Sequence, residues 1–300
     1  MSQPRQILPG TTYLITKSCT QRQFLLNPSK LVNQVFSYCL AYAQGRYNIE
    51  IHACTVMSNH WHSVVTDVDG QLPEFMGFVN EFVAKCLNVA YRRQENLFST
   101  RPYSAVTLET PEDILHATIY VLANAVEARA VDRAHLWPGL SSAGMRFGDP
   151  ALEVDRPKVF FRRKGEMPDQ VSLVLTRPPG FRSMSDHEFT ILVRRRLRAR
   201  ERSIRNQYRK KRLSFEGPEA CLRHRINHRP ARERPLFKLS PRVAAKEKSI
   251  RVAALARLKE FAEDYRRARE RWIEGERDVE FPPGTYWLRV HANVKCRAPT

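Results

Sequence analysis

No stretch of the chain approaches the roughly 20 consecutive apolar residues that a membrane-crossing helix needs. The opening segment, "MSQPRQILPG", has none of the apolar centre of a secretion signal. Both absences lead to the expectation of a soluble, cytoplasmic protein with no membrane partner. Six cysteines are scattered with no Cys-x-x-Cys pair among them, which argues against a cysteine-built zinc site and for a reduced compartment. Internal repeats and long low-complexity tracts are missing too. Acidic residues are the scarcest charge, 31 Asp and Glu against 50 Lys and Arg, for a formal +19 and a pI near 10.1. Such an imbalance favours a polyanionic partner, nucleic acid first, although membrane-surface or ribosomal association would produce the same number; it carries no information about chemistry.

What is present is enough for a real core. Three hundred residues with 42% hydrophobic content build one large domain or two smaller ones. Residues 1–145 carry ordinary surface charge, whereas 146–300 form an arginine-rich, mainly helical extension. Its densest part is "ILVRRRLRARERSIRNQYRKKRL" (191–213), followed by a second helical pattern over 241–275. The first part parses into a strand at 11–19, a helix at 28–45 and strands at 47–57 and 60–68 joined by Ser58-Asn59. A long amphipathic helix at 72–97, a strand at 103–109 and a helix at 110–131 follow. The last helix opens with Thr110 as N-cap, Pro111 at its first position and acidic residues in its first turn. The order β-α-β-β-α-β-α predicts an α+β fold of the ferredoxin-like, split βαβ type, with an antiparallel sheet.

Within this frame, "SNHWHSVV" (58–65) puts two histidines one residue apart. On a strand, positions i and i+2 share a face, so His60 and His62 stand together and Trp61 points the other way. The last predicted helix places Asn124 four residues after Tyr120, on one face. Strand and helix can meet on one side of the sheet, where His60, His62 and Asn124 would supply three ligands for a divalent metal, with Tyr120 beside them.

This constellation resembles the single-tyrosine HUH transposases, in particular the REP-associated tyrosine transposase branch. The resemblance rests on "MSNHWHSVV", on "RPYSAVTLETPEDILHATIYVLANAVEARAV" (101–131) and on "WPGLSS" (137–142). It spans about residues 8–145 and says nothing of the extension beyond. Ala125 follows the asparagine where the family commonly has proline.

The resemblance implies a transposase-like enzyme that cleaves and rejoins single-stranded, hairpin-forming DNA. Tyr120 would attack a phosphodiester and become joined to the 5′ end, and a cation (Mg²⁺ or Mn²⁺) on His60, His62 and Asn124 would offset charge in the transition state. Arg92, Arg93, Arg101, Arg194, Arg195, Arg196, Arg209, Lys210 and Lys211 are the candidates for backbone contact, with Tyr208 and Trp272 as nearby stacking aromatics. Family members occur as monomers and as homodimers that exchange the tyrosine helix. Two alternatives stay open: a domesticated regulator that binds DNA or RNA hairpins without cutting, and a rolling-circle initiator or relaxase. The second usually brings a helicase domain or a third histidine cluster, neither of which is visible.

Overall fold

The computed structural model describes residues 4–162, 164–230 and 241–298. The first half forms β1 (Thr11–Ser18), α1 (Lys30–Arg46), β2 (Ile49–Met57), β3 (His60–Asp67), α2 (Leu72–Tyr91), β4 (Ser104–Leu108) and α3 (Pro111–Glu127). The second half adds β5 (Leu152–Asp155), β6 (Gln170–Leu173), α4 (Asp186–Lys210), α5 (Pro218–Leu222), β7 (Val243–Ala244), α6 (Lys248–Ile273), β8 (Glu280–Phe281), α7 (Trp287–Ala292) and β9 (Lys295–Cys296). The central sheet has the order β2-β3-β1-β4-β7. Its first four strands are antiparallel in the split βαβ arrangement expected from the element order. Among the described residues, no helix is long and apolar enough to cross a membrane.

Strand alternation sorts the two faces. On β3, Trp61 and Val65 point to a core built with α1 and α2, where Trp61 is fully buried with its ring edge-on to Phe36 at 5.3 Å. Val64 points to the opposite face, where it packs with Ala53 beneath α3 and α4. The sheet is therefore covered on both sides, and His60 and His62, in phase with Val64, belong to the α3 side.

The pairing of β2 with β3 slips by one residue between Ile51 and Ala53, leaving His52 as the extra residue of a bulge. His52 is buried, with Nδ1 2.8 Å from the Thr176 carbonyl and Nε2 2.8 Å from Thr66 Oγ1, so it is a core residue. Burial holds its pKa down to about 4. The unfolded chain binds this proton near the ordinary pKa of about 6.5, so stability is fully present above that value and falls as the pH drops toward 4. The expected loss is about 3 kcal/mol. Urea unfolding at stepped pH checks it, since a His52→Gln variant lacks this part of the acid sensitivity.

The outer edge of β2 is closed by the segment after α3. Trp137 Nε1 donates to Val56 O at 2.8 Å, and Val56 N donates to Leu140 O at 2.8 Å. Ser142 Oγ accepts from Cys54 N at 2.9 Å and donates to Cys54 O. A side chain at Gly139 would come within 2.9 Å of Val56 O and closer still to the Trp137 indole nitrogen, so this close approach requires glycine.

The arginine-rich half docks on this unit. The β5–β6 hairpin covers α1, contributing Val154 and Leu173 to its core. Helix α4 starts with a Ser185–Glu188 capping box and lays Phe189, Val193, Leu197 and Ile204 against α3. The helix expected over 241–275 starts only at Lys248. Before it, Val243 and Ala244 pair parallel with Thr107 and Leu108, adding a fifth strand to the sheet. The free edge of β4 offers these residues long-range hydrogen bonds that helical periodicity does not reveal.

Candidate active site

The β2–β3 turn delivers the histidines. His60 pairs with Met57 and Ser18, and His62 pairs with Thr55 and Thr16. Trp61 anchors the other face, so the strand cannot roll without pulling a buried indole out of the core. The two imidazoles stand with centroids 4.7 Å apart at 84°.

Both rings are held at Nδ1. Asn59 Nδ2 donates to Arg22 O at 3.2 Å, which turns its Oδ1 toward His60 Nδ1 at 2.6 Å. An amide oxygen only accepts, so His60 Nδ1 carries the proton and Nε2 carries the ring lone pair. His62 Nδ1 lies 2.7 Å from Thr16 Oγ1; that hydroxyl can donate or accept, and the tautomer in which Nδ1 donates to it carries its lone pair on Nε2 as well. Holding the distal nitrogen in this way is how metal-ligating histidines are commonly oriented.

Helix α3 supplies the other two residues. Ala117, Tyr120, Val121 and Asn124 share the face that the i, i+3, i+4 spacing turns toward the sheet. The Tyr120 ring is half-buried and lies 5.4 Å from His62, edge to face. Asn124, one turn later, is buried. Ala125 continues the helix to Glu127 and packs beside Met57 and Trp137. Among the described residues, no group of three His, Cys, Asp or Glu side chains could hold a metal ion. With two imidazoles in place, a third protein ligand would have to be of another type. Asn124 supplies an amide oxygen on the facing helix, and this donor set suits a divalent cation.

Other candidates fall elsewhere. Tyr91 lies on α2, across the sheet from the histidines; its hydroxyl donates to Leu25 O at 3.2 Å and burial pushes its pKa up to about 12. Glu112 and Asp113 serve the start of α3, where Asp113 accepts from Thr110 Oγ1 and from Lys246 N. Tyr208 donates to Glu127 O at 2.5 Å, and Trp272 packs in a small core with Phe281, under Arg277.

The basic candidates divide by position. Arg92 is exposed and Arg93 half-buried at the end of α2, and Arg101 is exposed before β4. The three lie at the histidine end of the sheet, where Cys19 N donates to Asn59 O and Thr20 N to Leu97 O. Arg194, Arg195 and Arg196 follow α4 along α3, with Arg194 half-buried near His52 and Arg196 3.7 Å from Glu112. Arg209, Lys210 and Lys211 are exposed at the end of α4, beside the end of α3. Sequence reasoning missed Phe160, a large exposed aromatic; the run "VFFRRKG" (159–165), aromatic then basic, was the available signal.

No protein-family model matches this sequence, and no curated protein matches it. Among solved structures, the chain is similar to a REP-associated tyrosine transposase bound to a REP hairpin, with 20% identity and a TM-score of 0.40 over 47% of this chain and 82% of that one. It is also similar to a protein of Deinococcus radiodurans R1 described as a candidate transposase, with 18% identity and a TM-score of 0.28 over 36% of this chain and 85% of that one.

Proposed function

We infer that this protein cleaves and rejoins single-stranded DNA through Tyr120, in the manner of a transposase. The observation that carries the reading is the row of rings His60–His62–Tyr120, in which both histidines are oriented through Nδ1 and the tyrosine approaches from the facing helix. Its formal +19 charge supports a polyanionic substrate.

In this reading Tyr120 attacks phosphorus as its phenol gives up its proton, the bond to the 3′ oxygen breaks, and that oxygen leaves as a 3′-hydroxyl. A 5′-phosphotyrosine results. One phosphodiester replaces another, so a 3′-hydroxyl can reverse the step without an external energy source. His60 and His62 would hold a divalent cation, Mg²⁺ or Mn²⁺, through Nε2, and Asn124 would hold it through its amide oxygen. When bound, the cation would draw charge from a non-bridging phosphate oxygen. The basic residues at the ends of α2 and α4, Arg92, Arg93, Arg209, Lys210 and Lys211, together with Arg101 and the Arg194–Arg196 run, would hold the backbone.

The test is a denaturing gel of protein incubated with labelled, hairpin-flanked single-stranded DNA. A slow-migrating covalent adduct is expected with Mn²⁺ and none with EDTA, and His60→Ala and His62→Ala are each expected to cut its yield by at least about 100-fold. Binding with no adduct under any metal would sink the cleavage reading in favour of a non-cutting binder.

A further inference from the structure

The face of the sheet opposite the histidines carries a feature that the cleavage site does not use. Phe161 and Phe160 follow the β5 strand and meet α2. Phe161 is packed, its ring 5.4 Å from Tyr38 and stacked on Phe82 at 6.1 Å. Phe160 sets its ring edge-on to Phe161 at 5.5 Å and to Phe82 at 6.3 Å yet stays 42% exposed, and its backbone sits at φ +69°, a left-handed conformation that is an outlier for a bulky side chain. Such conformations persist where the surroundings enforce them and gather at ligand-binding sites.

Phe160 forms one wall of a groove of about 460 Å³ along the last turns of α2, lined by Lys85, Asn88, Val89, Arg92, Arg93 and Gln94. Three of these are cations and none is a carboxylate; of the acids beside the groove, Glu81 pairs with Lys85, and Glu95 follows Gln94 with its carbonyl accepting from Asn88 Nδ2 at 3.0 Å. Val89 is 54% exposed beside them. The Nε of Arg93 is buried and meets no acceptor among the described residues. An exposed aromatic face beside cations and side-chain amides is the chemistry that holds unpaired bases and their phosphates. The groove ends where α2 ends, near Leu97, whose carbonyl accepts from Thr20 N, and the adjoining Cys19 N donates to Asn59 O. A strand leaving the histidine site can thus round the end of the sheet and arrive at Phe160.

We propose that the Phe160 groove binds unpaired nucleotides of the DNA strand, one base stacking on Phe160 while Lys85, Arg92 and Arg93 hold phosphates. This deepens the single-strand reading above and rests on it. It makes the protein grip its substrate on both faces of one sheet.

The test measures the affinity of the full chain for a fluorescent oligothymidylate and for a duplex of equal length, across a salt series, with adduct formation followed separately. Phe160→Ala is expected to weaken single-strand binding about tenfold and leave duplex binding and the salt slope unchanged. Arg92→Ala is expected to lower the salt slope by about 0.7. Phe160→Gly suits the left-handed backbone, so it should melt no lower than Phe160→Ala and bind equally poorly. Unchanged single-strand affinity in the two Phe160 variants overturns the proposal, as does an equal loss on duplex. An oligomer that dissociates in Phe160→Ala with single-strand affinity intact overturns it in favour of a second copy of the chain as the occupant. Adduct formation reports the cleavage reading independently: normal adduct with unaffected binding sinks the groove alone, and lost binding without any adduct sinks the cleavage alone.

Discussion

Tyr120→Phe is expected to remove the covalent protein–DNA adduct, lowering its rate of formation by at least about 10³-fold, because phenylalanine has no hydroxyl with which to attack phosphorus. The variant keeps the ring that packs 5.4 Å from His62 and between α3 and the sheet, so melting temperature and single-strand affinity should stay close to wild type. Tyr91→Phe is the matched control. Its hydroxyl serves the Leu25 carbonyl on the other face, and its removal should cost about 1 kcal/mol of stability with adduct formation intact. Adduct surviving in Tyr120→Phe and vanishing in Tyr91→Phe would reverse the assignment.

Trp61→Ala is expected to be the most damaging single change to the fold, costing about 3–5 kcal/mol, a large share of the total stability of an ordinary domain. Trp61 is fully buried against Phe36, and its burial holds β3 with both imidazoles toward α3. Activity should therefore fall although every candidate site residue is retained. Trp61→Phe should be far milder. The indole Nε1 is buried and finds no acceptor among the described residues, so replacing it discards a costly donor while much of the apolar contact remains. Urea unfolding of the three proteins decides the matter. An alanine variant as stable as wild type would mean that the indole does not fix the strand.

Much of this was legible beforehand, for identifiable reasons. Helix α1 was expected over 28–45 and runs Lys30–Arg46 behind a Ser29 cap; the hairpin turn falls at Ser58-Asn59. The pairing of His60 with His62 followed from the period of a strand. The approach of Tyr120 to His62 needed the whole element order, since they lie 58 positions apart in the chain. Other features had no local signature. Helix α2 stops at Tyr91 rather than near 97 because Arg92 turns left-handed, at φ 53°, and Arg93 N closes on Asn88 O. The bulge at His52 breaks the alternation of β2 without any glycine to announce it. Strand β7 is two residues long and exists through its partner β4.

The closed edge of β2 limits how two copies of this chain could assemble. At Ile51, Cys54 and Val56 the outward backbone groups are already engaged, by Thr176, Ser142, Leu140 and the Trp137 indole. A dimer that extended one sheet into the next across this edge would first have to strip away residues 137–142, Gly139 and the buried Trp137 among them. Sheet-to-sheet pairing of two copies is therefore disfavoured along β2, because the seam there is already sealed from within the chain.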